Sequence, residues 1–329
     1  MAEPTAPPKR VHLQEVVTRD GFQGLDRFVP TAAKIALINE LGRTGVAKIE
    51  VTSFVSAEAI PNLRDADEVM SGITRHAGIE YAVLVPNLRG AERALPHRPD
   101  ELNLVMSASE TNNLMNLRMT REQSFNQIAG IVKFAAASRV AINISLSTSF
   151  GCPVEGPVGA DTVLGFVERF RDLGVRGVTL ADTTGMAHPG QVEQLAASAL
   201  ARAGKTAITL HFHNTRGMGL ANVCAGLRAG AVRFDASLGG LGGCPYAPGA
   251  TGNICTEDTA HMLELMGWQT GVDLRALLAA SRRLPEITGG ATPGQVAKAG
   301  TIFDLHPEPG WLAEVRARAA ARDQASAAT

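Results

Sequence analysis

The sequence predicts an α/β fold, a (β/α)8 TIM barrel with additional C-terminal helices. Eight short apolar, β-branched runs alternate with segments of helical spacing. The segments between them are long enough for parallel crossovers. Polar residues suited to chemistry fall at the C-terminal ends of those runs, which a closed barrel gathers on one face. An open doubly wound sheet is the alternative, but its best cue, a GxGxxG after the first strand, is missing. With 329 residues, 45% of them hydrophobic, the chain is ample for one large core.

Residues 1–9 hold three prolines and no apolar pattern, and are expected to be a disordered leader. Residues 10–284 are expected to form the barrel. VHLQEVV (Val11–Val17) is the first strand, ending in TRDGFQ. A helix follows, N-capped at Thr31, with periodic apolar residues Ile35, Leu37, Ile38 and Leu41 and a stop near Gly42. AKIEVTSF (Ala47–Phe54) is the second strand. The next runs are Tyr81–Val85, Leu102–Ser107, Ala141–Ser147, Val178–Asp182, Ile208–His213 and Phe234–Leu238. Ser124–Ser138, Thr162–Leu173 and Val192–Arg202 have helical spacing. Several strands read as continuous apolar runs, as parallel strands covered by helices do. Residues 285–329 are expected to be a helical extension whose Ala-rich end, AARDQASAAT, frays.

A formal net charge of −1 excludes the strongly basic footprint of a nucleic-acid binder. No apolar run is long enough to span a bilayer, and the start lacks the apolar core of a signal peptide. Cys152, Cys224, Cys244 and Cys255 form no CxxC pair, which argues against structural zinc and for a reduced, cytoplasmic protein.

His211 and His213 are two apart on one strand, so both imidazoles face the same way. A buried pair would serve as core hydrogen-bonding groups, but sharing a face at a strand's end points to metal ligation. Barrel closure makes the first strand the neighbour of the last. Asp20, His211, His213 and Asn253 are thereby brought within reach of one another. Imidazole with carboxylate and amide oxygen suits Mg²⁺ or Mn²⁺, and no thiolate joins the set to favour zinc. Arg19 and Asp20 follow strand 1 and are also ordinary turn residues. Glu50, near the end of strand 2, and Asp182, ending strand 6, are carboxylates inside a barrel, where each needs either a salt bridge or a functional partner. Cys244 lies in GLGGCP, where glycines let the backbone approach a ligand and a nearby cation would favour thiolate and proton transfer. Gly217 and Gly219, in RGMGLAN, read as a plain helix start rather than a phosphate site.

TRDGFQ (Thr18–Gln23), IEVTSFVS (Ile49–Ser56), LVPN (Leu84–Asn87), ADTTG (Ala181–Gly185), HFHNT (His211–Thr215) and GLGGCPYAPGATGN (Gly240–Asn253) together resemble the hydroxymethylglutaryl-CoA lyases. These are metal-dependent barrel lyases related to isopropylmalate and citramalate synthases, and the resemblance runs from Val11 to Leu284. It implies that Asp20, His211, His213 and Asn253 bind a divalent cation, Mg²⁺ or Mn²⁺. Arg19 would neutralise charge on a thioester enolate, Cys244 would transfer a proton, and Glu50 and Asp182 would act in the active site. The implied reaction is retro-Claisen cleavage of 3-hydroxy-3-methylglutaryl-CoA to acetyl-CoA and acetoacetate, as in leucine degradation. An acyl-CoA is the implied partner, and a homo-oligomer, a dimer, is expected.

The chain departs from the family at Phe22, Gly24, Leu25 and Asp26, at Phe212 and Asn214, and in SASETNNLMN. These changes bear on the acyl group, so the same chemistry on citramalyl-CoA or a longer-tailed hydroxyglutaryl-CoA is an alternative. A Claisen-condensing synthase is another, against which the Cys244 loop speaks. A barrel retained only for binding is the non-enzymatic reading, and intact metal and proton-transfer positions argue against it.

Overall fold

The computed structural model describes residues 10–243 and 252–327. Eight parallel strands close on themselves in sequence order: β1 (His12–Glu15), β2 (Lys48–Ser53), β3 (Glu80–Val85), β4 (Glu101–Ser107), β5 (Ala141–Ser147), β6 (Gly177–Asp182), β7 (Ala207–Phe212) and β8 (Arg233–Ala236). Closure is made by β1 on β8, with Leu13 opposite Phe234 and Glu15 opposite Ala236. The helices between the strands are α1 (Thr31–Leu41), α2 (Ala66–Gly72), α3 (Leu88–Ala94), α4 (Glu110–Leu117), α5 (Arg121–Ala135), α6 (Ala160–Asp172), α7 (Pro189–Arg202) and α8 (Gly219–Arg228). After β8 come α9 (Thr256–Leu265) and α10 (Leu274–Thr288), then short α11 (Val296–Ala299).

The chain divides into two compact units, the first reaching Ala297 and the second starting at Lys298. Helix α10 runs without interruption through residue 285, where the expected extension was to begin. In the second unit, α12 (Leu312–Ala327) is exposed and helical to its last described residue. The alanines of this helix suit it, since alanine is the best helix former. No described helix is long and apolar enough to cross a membrane.

Two local expectations change. Thr31 is the first helical residue of α1, not its cap. Pro30 precedes it at φ −55, and Thr31 Oγ1 donates to Asp65 Oδ2 at 2.7 Å. The strands also alternate more cleanly than continuous apolar runs. In ELNLVMS of β4 and AINISLS of β5, the leucines, isoleucines and methionine face the helices. The residues between them face the barrel axis. There, Gln14, Asn103, Asn143, Thr179 and Thr209 are buried and bonded to one another or to Glu50 in place of the usual branched apolar layers. The interior is polar, so the pattern is period two.

Candidate active site

Directly after β1 the backbone makes a single π-helical turn, Val17–Gly21, rather than an open turn. The amides of Arg19, Asp20 and Gly21 all converge on Val16 O at 3.2, 2.7 and 3.3 Å. Such widened turns recur at functional sites. This one presents Arg19 and Asp20 as consecutive buried residues at the mouth of the barrel. Across the closure, Asn253 bridges to His213, and Ile254 N donates to Phe212 O at 3.0 Å. Asn253 is thus stitched onto the end of β7. Gly242, at φ +138, makes room for it, since a Cβ there would lie 2.2 Å from Asn253 Nδ2.

The four residues expected at a cation site do converge. His211 Nε2 and His213 Nε2 are 3.1 Å apart, and His213 Nε2 lies 3.6 Å from Asp20 Oδ2. Ligand atoms of Asp20, His211 and His213 all fall within 4.8 Å of one another, and all three residues are buried. Asn253 Nδ2 donates to Asp20 Oδ2 at 2.6 Å, while Asn253 Oδ1 is buried with no hydrogen-bond partner among the described residues. Two imidazole nitrogens facing each other, a carboxylate and an orphaned amide oxygen form a donor set suited to a divalent cation.

Burial alone would raise the Asp20 carboxyl, but Arg19 and the two imidazoles outweigh it and bring it down to about 2. Asp20 is therefore an anion at any physiological pH. Burial works against a charged His211, yet its bond to Asp235 Oδ2 at 3.2 Å raises it overall. That bond engages Nδ1 and leaves Nε2 to face His213.

Arg19 is held at two of its three nitrogens. Nε pairs with Glu50 Oε2, and Nη1 donates to Asp20 Oδ1 at 2.6 Å. Its Nη2 has no protein partner among the described residues. Burial opposes its charge, but the two carboxylates hold the guanidinium above the usual arginine range. Arg19, Asp20 and His211 line a cavity of about 210 Å³, walled also by Ser53, Val105, Ser145 and Ser147. Ser53 Oγ is buried and has no partner among the described residues.

Glu50 stands mid-strand rather than near the end of β2, beside a register irregularity between Glu50 and Thr52. It reaches Arg19 and not the cavity. Asp182 departs further from expectation. It stands opposite Phe212 in the β6–β7 register, one residue past the Ala181–His211 pair, so it faces outward. Its carboxylate accepts from Met186 N and Ala187 N at 2.8 and 3.1 Å, tying the loop after β6, and burial pushes it up to about 6. Cys244 lies outside the described residues.

Two site residues were missed in the sequence. Asp235 was readable as a carboxylate in a strand, like Glu50, but its partner emerges only from the register that sets it beside His211. Gln23 donates to Asp20 Oδ1 at 2.6 Å, and its position in TRDGFQ was the available signal.

A closed parallel barrel with a buried N₂O₂ donor set able to hold a cation, and an arginine held at two of its three nitrogens at the C-terminal mouth, has the form of a barrel enzyme. The chain belongs to the HMGL-like family, whose family model matches residues 10–284. It is 44% identical over 288 residues to hydroxymethylglutaryl-CoA lyase YngG of Bacillus subtilis, covering 88% of this chain and 96% of that protein. The human mitochondrial hydroxymethylglutaryl-CoA lyase is 38% identical over 292 residues, covering 89% and 90%. Among solved structures, an HMG-CoA lyase from Acinetobacter baumannii in complex with coenzyme A and 3-methylmalate superposes with a TM-score of 0.90. It is 52% identical and covers 93% of this chain and all of that one, at 100%. The enzyme class is carbon–carbon lyase.

Proposed function

We propose that this protein cleaves 3-hydroxy-3-methylglutaryl-CoA to acetyl-CoA and acetoacetate, using a divalent cation, Mg²⁺ or Mn²⁺, held by Asp20, His211, His213 and Asn253. The observation that carries the reading is the convergence of those four residues on one another, with Asp20 and His211 lining the same cavity as Arg19. When bound, the cation supplies a Lewis acid for oxygens of the substrate.

The chain's own residues do the rest. Arg19 Nη2 donates to the thioester oxygen. The C3 hydroxyl releases its proton to water and becomes the ketone of acetoacetate as the bond between C2 and C3 breaks. The electron pair of that bond moves onto the thioester, and the fixed guanidinium meets the charge as it develops. Glu50 and Asp20 hold that guanidinium, Asp235 holds His211, and Gln23 donates to Asp20 Oδ1, the oxygen that Arg19 also engages. Ser53 and Ser147 offer hydroxyls to the acyl group, with Val105 as an apolar wall. Cys244 supplies the proton that converts the enolate to acetyl-CoA, a role that rests on the GLGGCP motif alone. Asp182 acts by fixing the loop after β6 and not by touching substrate. A homodimer, a cytoplasmic location and a place in leucine degradation are carried by the family resemblance and cysteine usage.

Turnover of hydroxymethylglutaryl-CoA by EDTA-stripped protein, with Mg²⁺ or Mn²⁺ added back, tests this. Metal-dependent release of acetyl-CoA and acetoacetate in equal amounts is expected. Turnover that survives EDTA would remove the cation from the reaction, and Mn²⁺ binding without turnover would remove the substrate.

A further inference from the structure

Deeper in the barrel, Asn103 on β4 is buried with its carboxamide bonded at both its nitrogen and its oxygen. Its Nδ2 donates to Glu50 Oε1 at 2.6 Å. Its Oδ1 accepts from Asn143 Nδ2 at 3.0 Å and from Ser145 Oγ at 2.9 Å. Asn143 Nδ2 also donates to Thr179 Oγ1 at 3.0 Å. This network fixes which way the Asn103 amide points. Reversal would set its oxygen against the Glu50 carboxylate and its NH₂ against that of Asn143. Glu50 and Asn103 meet across β3 because the residue opposite Glu50 there is Ala82, whose methyl leaves the space open.

Glu50 is thereby gripped at both oxygens, Oε1 by Asn103 and Oε2 by Arg19 Nε. A carboxylate held at both ends has one orientation. With Nη1 on Asp20, that orientation decides where Nη2 of Arg19 lies. We propose that Asn103 is a positioning residue for the lyase reaction, acting through the Glu50 carboxylate to fix the Arg19 guanidinium with Nη2 free for the thioester oxygen. The role assigned to Arg19 rests on the lyase reading. The determinant added is a neutral amide on β4 that touches neither cation ligand nor substrate.

Asn103→Asp keeps both acceptor bonds, from Asn143 and Ser145, and replaces the donor to Glu50 with a carboxyl oxygen that opposes the Glu50 carboxylate. Asn103→Ala removes all three. In both, kcat falls about 10- to 100-fold, the scale of a misplacement near 1 Å. KM changes less than about threefold and Mn²⁺ affinity is unchanged, because the charge on Arg19 matters as the bond breaks. In a Glu50→Gln background, Asn103→Ala costs little more, since the residue it acts through is already altered. Equal losses in the two backgrounds, or a loss that follows Mn²⁺ affinity, would overturn the proposal.

A readout independent of turnover is the Arg19 Nε–H resonance in protein labelled at arginine Nε, assigned by its disappearance in Arg19→Lys. It shifts in Asn103→Ala and Asn103→Asp. If the wild-type protein fails to turn over hydroxymethylglutaryl-CoA, the lyase reading falls and this resonance decides the positioning role. A shift upholds it, and an unmoved resonance overturns it.

Discussion

On β5, Ile142, Ile144 and Leu146 face an apolar shell under the helices, while Asn143, Ser145 and Ser147 face the barrel axis. The same strand thus serves two interiors, one with non-directional packing and one with directional bonds. In the shell, Phe170 of α6 packs against Phe125 and Phe166, with ring centroids 5.6 and 6.0 Å away. Along the axis, Gln14 bonds Thr209, and Glu50, Asn103, Asn143 and Thr179 are joined in sequence by directional hydrogen bonds. Apolar contacts tolerate small shifts, whereas a hydrogen bond weakens steeply with angle. A shell of the first kind stabilises the fold, and an axis of the second kind aims side chains.

The contrast predicts separable losses. Asp20→Asn, on the axial side, is expected to lower turnover by about 10³-fold and to weaken Mn²⁺ binding in titration. The melting temperature should move little. A collapse of the fold would show that the site carries the barrel's stability.

Phe170→Ala, in the shell, is expected to destabilise by about 3–5 kcal/mol, read by denaturant unfolding. Mn²⁺ affinity of the molecules that remain folded should be unchanged. Weakened binding would mean that packing and aiming are coupled.

Glu15 sharpens the comparison because it is an acid on the shell side of β1. Burial pushes it up to about 8, against donors from Val17 N, Leu238 N and Thr256 Oγ1. The folded state therefore holds a proton that the unfolded chain, near 4.5, releases earlier. Its contribution is fully present below pH 4.5 and is lost as pH rises through about 8. Glu15→Gln keeps the shape without the charge. Its melting temperature is expected to rise relative to wild type across that window and then level off. A gap constant with pH would mean that Glu15 does not take up that proton.

The shell was the more legible of the two interiors. Apolar periodicity reports burial directly, so all eight strands could be placed, with ends differing by a few residues. His211 and His213 were legible for a related reason, since residues two apart share a face in any strand. Asp182 misled because its face depends on counting alternation outward from His211 through the β6–β7 register, which no local pattern states. Asp235 and Asn103 were overlooked for the same reason. Each is an ordinary polar residue in an apolar run until neighbouring strands supply its partner. The π-helical turn was illegible too, because TRDG suits an open turn equally well, and the converging amides on Val16 O come from tertiary context.

The bond from Asn253 to Asp20 joins residues 233 apart in sequence, and β1 gains its second neighbour only when β8 arrives. On a ribosome adding about 5–20 residues per second, that interval is on the order of 10–50 s. During it, β1 has a bare edge and Asp20 lacks its imidazole and amide partners. Assembly of the cation site thus coincides with ring closure, so a nascent chain acquires its chemistry and loses its last open strand edge in the same event.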